Sequence, residues 1–131
     1  MTIYYRNLCI VSVVLLSGSS CAEPITHNAQ NKLLDIQVLS HGYDSGGEFC
    51  ADFILTSTEV EWFFSRAKIL DARLLHDQFD LVPCWVRGTA LSLQGTWQWE
   101  IRAGGTARKV FKNGTVELLG CDKCDAVLMG E

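Results

Sequence analysis

The chain has 131 residues, with 11 basic and 15 acidic side chains and a formal charge of −4. That length makes one domain the default. An acidic balance with no basic run excludes nucleic acid as a ligand, because phosphate neutralisation requires a Lys/Arg patch.

Residues 1–22 read as an export signal. Arg6 is the one positive side chain of the first seven residues, Leu8 to Leu16 is an apolar run (LCIVSVVLL), and Ser17-Gly-Ser-Ser20 follows. These are the charged, apolar and small-residue regions of a secretory signal. The run is shorter than the roughly 20 residues that span a bilayer. Two processing routes stay open. Small residues flank Cys21 on both sides, which suits cleavage before Glu23. Gly18-Ser19-Ser20-Cys21 also resembles a lipobox at the two positions nearest the cysteine and departs from it at Gly18, where Leu is usual. A lipid on Cys21 is then the expected membrane attachment. Removing residues 1–22 takes away only Arg6, leaving ten basic against fifteen acidic side chains, a charge of −5. The expected location is the periplasm, or the cell envelope through that lipid.

Residues 23–32 are polar and read as a tether to a single domain over residues 33–131. Leu34, Ile36 and Val38 alternate with Asp35 and Gln37, predicting a first strand. A glycine-rich loop, residues 41–47, leads to a second predicted strand, in which Phe49, Ala51, Phe53 and Leu55 alternate with Cys50, Asp52 and Ile54. A helix follows. Thr56 and Glu59 have the spacing of a capping box, and Val60, Phe63, Phe64 and Ala67 recur at helical intervals. Residues 71–83 lead back to the sheet, with Pro83 holding Val82 extended.

From Cys84 to Cys124 the pattern is a four-stranded meander. Gln94-Gly95, Gly104-Gly105 and Asn113-Gly114 mark its turns, each read as a two-residue hairpin loop with a glycine at positive φ. Trp97, Trp99, Ile101 and Ala103 share one face of a strand, and Gln98, Glu100 and Arg102 share the other. The expected fold is α+β: a single helix packed on a six-stranded antiparallel sheet in the order β-β-α-β-β-β-β, with a curl toward a half-barrel as the variant arrangement.

Cys50, Cys84, Cys121 and Cys124 follow the signal. An even count in an oxidising compartment points to disulfides, with three pairings open. The expected pairs are Cys50–Cys84 and Cys121–Cys124, and crossed pairs such as Cys84–Cys121 compete. Cys121-Asp-Lys-Cys124 also has the spacing of a thiol-exchange pair, but no βαβ pattern surrounds it and no following helix supplies the dipole that lowers a thiol pKa. A zinc site wants four ligands, and Cys50, Cys84 and the histidines at 27, 41 and 76 are scattered. No metal and no cofactor are therefore expected.

No catalytic set assembles. His76-Asp77 and Asp80 look like a base among carboxylates, yet no nucleophile motif accompanies them, and a solvated loop is the better reading. Loop 41–47 lacks the lysine and following helix of a phosphate loop. Tyr43 and Asp44, with His76, Asp77 and Asp80, are kept as candidate contact residues on two loops.

The segments EFCADF, PCWVRGT, WEIRAGGT and LGCDKCD together resemble small exported bacterial proteins of unknown function. That resemblance implies a compartment and a fold. The functional expectation is a non-enzymatic binding or inhibitory module with an envelope protein as partner. The alternative is a thiol-redox protein acting through Cys121 and Cys124.

Overall fold

The computed structural model describes residues 33–124 and Leu128. The export signal, Cys21, the tether and most of the C-terminal tail lie outside the described residues. Among the described residues six strands and two helices form: β1 (Leu34–Tyr43), α1 (Ser57–Arg66), β2 (Lys68–Ile69), α2 (Ala72–Gln78), β3 (Cys84–Ser92), β4 (Gly95–Arg102), β5 (Thr106–Phe111) and β6 (Val116–Gly120). The strands make one antiparallel sheet in the order β1-β3-β4-β5-β6-β2, not closed into a barrel.

The α+β class and the six-stranded sheet agree with the sequence pattern, but one strand is a different segment. Phe49–Leu55 does not join the sheet. Glu48–Cys50 forms a single 3-10 turn instead. The Cys50 amide donates to the Gly47 carbonyl and the Phe53 amide to the Cys50 carbonyl, so local bonds consume donors that a ladder needs. The alternation survives as burial only at its end: Phe53 and Leu55 are buried around exposed Ile54, while Phe49 is 72% exposed and Cys50 is buried. The remaining strand is β2, where Lys68 pairs with Gly120 and Ile69 with Leu119.

The expectation of a single helix is also corrected. Asp71 caps α2, its side chain accepting the Leu74 amide at 2.9 Å. Residues 71–83 do lead back to the sheet, but through this helix. Leu75 is only half-buried, and no α2 residue is fully buried.

Alternate residues of the meander build two distinct faces. Val86 and Ala90 of β3, Trp97, Trp99 and Ile101 of β4, Ala107 of β5 and Leu119 of β6 are buried on the face that receives α1. The capping box is complete in both directions: the Thr56 amide donates to Glu59 Oε2 at 2.7 Å and the Glu59 amide to Thr56 Oγ1 at 3.3 Å. Val60 and Phe63 are 0% exposed. The Phe64 ring stands edge-on to Trp97 at 5.3 Å and to Trp99 at 6.3 Å, a favoured aromatic geometry. On the opposite face, α2 closes one corner. Phe79, just past the helix, occupies the space a Cβ at Gly120 would need.

The turns keep their glycines but differ in type. Gly95, Gly105 and Gly114 have φ of 101°, 85° and 84°, while Leu93, Gln94, Ala103, Lys112 and Asn113 do not. Gly105 donates to the Arg102 carbonyl and Gly114 to the Phe111 carbonyl. Each turn therefore places its left-handed residue one position later than a primed two-residue turn, the pattern of a type I turn followed by a glycine bulge.

Cys50 bonds to Cys84 with Cα atoms 5.1 Å apart, and Cys121 to Cys124 with Cα atoms 5.6 Å apart. The first bond fastens the 3-10 turn to the start of β3. The second sits just past β6, where the Cys121 amide donates to the Gly105 carbonyl at 2.8 Å.

Candidate functional site

The face opposite α1 carries a linked set of charges. Strand alternation aims Arg87 of β3, Glu100 and Arg102 of β4 and Arg108 of β5 to this side, and the register sets Glu100 directly between Arg87 and Arg108. Glu100 is 7% exposed. Its carboxylate accepts Arg87 Nε at 2.7 Å on one oxygen and Arg102 Nε at 3.0 Å on the other. A buried carboxylate is costly unless its oxygens are satisfied, and the two guanidinium groups satisfy both.

Arg102 reaches further. Its Nη1 donates to Asp44 Oδ2 at 2.8 Å and to the Val82 carbonyl at 3.4 Å. The Arg102 bond holds the Asp44 carboxyl below its usual range. For Arg102, burial works against the charge, but the bonds and charges of Asp44 and Glu100 outweigh it and raise its pKa. Arg87 lies over the Trp85 ring at 3.8 Å, so the aromatic plane fixes the guanidinium from below. Arg108 is exposed and, among the described residues, makes no ion pair.

Glu100 and Asp44 match Arg87 and Arg102, so Arg108 is the one guanidinium of these three that makes no ion pair among the described residues. Between them is a shallow depression of about 160 Å³, bordered by Thr89, Gln98, Glu100 and Arg108. That is below the roughly 300–1,000 Å³ of small-molecule sites, so the face suits a flat macromolecular surface better than a small ligand.

The candidate contact residues divide between the two ends of this arrangement. Tyr43 ends β1 opposite Cys84 and is half exposed. Asp44 is committed to Arg102, and its amide donates to the Pro83 carbonyl at 3.1 Å, so loop 41–47 is tied to the entry of β3. His76 and Asp77 lie exposed on α2, where Asp77 is 3.7 Å from Arg73. Asp80 follows α2, its carbonyl close against Gly104. These side chains do not converge on one reacting position.

The paired sulfurs form two separate bonds, so the four do not meet at one point. Among the described residues no three His, Cys, Asp or Glu side chains are grouped closely enough to hold a metal ion. Cys121 is 1% exposed and Cys124 0%, which shields both from an attacking thiolate. Sequence reasoning named Glu100 and Arg102 only as outward-facing positions. The missed signal was charge alternation across adjacent strands, since Arg87, Glu100 and Arg108 align only once the hairpin registers are known. No family model, curated protein or solved structure matches this chain.

Proposed function

We propose that this is a small exported envelope protein that works as a non-enzymatic binding or inhibitory module, and that it meets its protein partner with the face opposite α1. The observation that carries this reading is the Arg87–Glu100–Arg102–Asp44 chain, which fixes two guanidinium groups on adjacent strands, that of Arg87 above Trp85. Arginine and tryptophan are enriched at binding hot spots, and side chains already held in place lose less entropy on docking. Arg108 at the depression, unpaired among the described residues, favours a partner that presents a carboxylate there.

Co-purification after native extraction of the envelope tests this with Arg108→Gln and Thr89→Lys together. Both residues border the depression and neither belongs to the ion-pair chain, so folding is expected to persist. The partner bound by the wild-type protein should be lost, while Glu61→Lys on the outer side of α1 should retain it. Equal recovery from both variants would remove this face from consideration. The thiol-redox alternative gains nothing from cysteines this deeply buried. It predicts reduction in glutathione-range buffers, where a structural bond usually lies below about −300 mV and resists.

A further inference from the structure

Among the described residues the sheet face under α1 is not filled to its edge. Beside the C-terminal half of α1 a cavity of about 400 Å³ opens, within the roughly 300–1,000 Å³ typical of small-molecule sites. Phe64, Trp97, Phe111 and Leu119 give it apolar walls, and Leu33 closes one side. Lys109 of β5 projects into this wall. Alternation puts it on the core face, opposite Glu117 of β6 and beside Trp99 of β4. Its Nζ lies 4.8 Å from the Trp97 ring centroid and 5.3 Å from that of Phe64.

Among the described residues Lys109 has no carboxylate within ion-pair distance. Among the described residues the cavity lining contains two lysines, Lys109 and Lys68, and no acid. A cation placed among rings and alkyl walls, with Glu117 near but beyond ion-pair distance, is half of a recognition pair. Burial pushes the Lys109 pKa down, and the nearby Glu117 partly restores it.

We infer that the cavity under α1 binds a small amphiphile with one anionic headgroup, a carboxylate on a short alkyl chain, with the carboxylate at Lys109 and the chain against Phe64 and Phe111. One ammonium matches one negative charge, and the apolar part of the wall, Leu33, Phe64, Phe111 and Leu119, suits an alkyl chain, while Ser92 and Gln94 border the polar side. This site lies on the opposite side of the sheet from the proposed protein-binding face and does not depend on it.

The test uses octanoate and 1-octanol as probes, titrated into the purified exported protein and followed by calorimetry and by the tryptophan indole N–H resonances. Octanoate is expected to saturate one site and to bind at least about ten-fold more tightly than octanol, the contribution of one charge-assisted contact. The Trp97 indole, now donating to Ser92 Oγ at 3.3 Å, should shift, while those of Trp62 and Trp85 stay in place. In Lys109→Met the preference for octanoate should fall to about one-fold, because a single opposite charge carried it. Should that variant fail to fold, the octanoate–octanol comparison and the indole shifts in the wild-type protein decide alone. Equal affinity for the two probes overturns the proposal, as does a shift shared by all indoles or an unchanged preference in Lys109→Met. A nuclear Overhauser contact from a residue before Leu33 onto Trp97 in the ligand-free protein also overturns it, since the chain itself would then occupy the cavity.

Discussion

Lys109 shows how one side chain can lower stability within a sound fold. Its neighbours on the face are Trp97, Trp99, Ala107 and Phe111, and in its place an apolar residue would complete the core. The ring contacts and Glu117 favour its charge, but desolvation outweighs them and lowers the pKa below the usual 10.5. The consequence for stability has a definite sign. Between the lowered folded pKa and 10.5 the unfolded chain binds more protons than the folded one, so stability rises with pH across that window and the penalty is fully present below it. Lys109→Met should therefore raise the urea midpoint at pH 7. That gain should shrink as pH approaches the unfolded value of about 10.5. A lower midpoint at pH 7 would mean that the rings and Glu117 outweigh the desolvation. Single residues on the tryptophan strand were legible, since Trp97, Trp99, Ile101 and Ala103 were assigned to one face and all are buried. Lys109 was not, because period-two reasoning on a short strand does not say which charged position turns inward.

At the scale of elements, the legible features were those whose partners lie close in sequence. The α1 capping box and the meander turns each span four residues, so both could be read without knowing the fold. Phe49–Leu55 has the same alternation as a strand, but strand pairing is a long-range fact, and here β3 already has β1 and β4 as its neighbours. The segment closes on itself in local turn bonds instead of adding to the outer edge of β1. Helix α2 was missed for the opposite reason: it is short, weakly apolar and anchored mainly at its start. That makes its cap testable. Isolated helices shorter than about 12–15 residues are marginal, and this one has seven residues and an Asp71 cap. Asp71→Ala is expected to cost about 0.5–2 kcal/mol in chemical unfolding. Hydrogen exchange should accelerate at Leu74 and Leu75 before any change in the β3–β6 meander. No loss of protection there would show that Leu75 and Phe79, not the cap, hold the helix.

For the whole molecule, the question is what ties the irregular half to the sheet. From β3 to β6 each strand is bound to the next by a hairpin ladder, and those contacts are local in sequence. Residues 44–56 have no such ladder, yet they supply Phe53 and Leu55 to the core. Their firmest attachment is the Cys50–Cys84 bond, which closes a separation of 34 residues across α1 and α2. Cys121–Cys124 closes a separation of only 3. The entropy removed from the unfolded chain grows with the logarithm of loop length, so the long loop is worth about 3–4 kcal/mol and the short one about 2. Replacing Cys50 and Cys84 together with alanine should lower unfolding stability by that larger amount. The amides of Cys50 and Phe53 should then exchange first, because the turn bonds they make have no sheet to support them. Replacing Cys121 and Cys124 together should cost less and leave those amides protected. An equal or larger loss from the second pair would place the importance elsewhere: in the packing of two sulfurs that are 1% and 0% exposed at the end of β6, and not in the chain entropy they constrain.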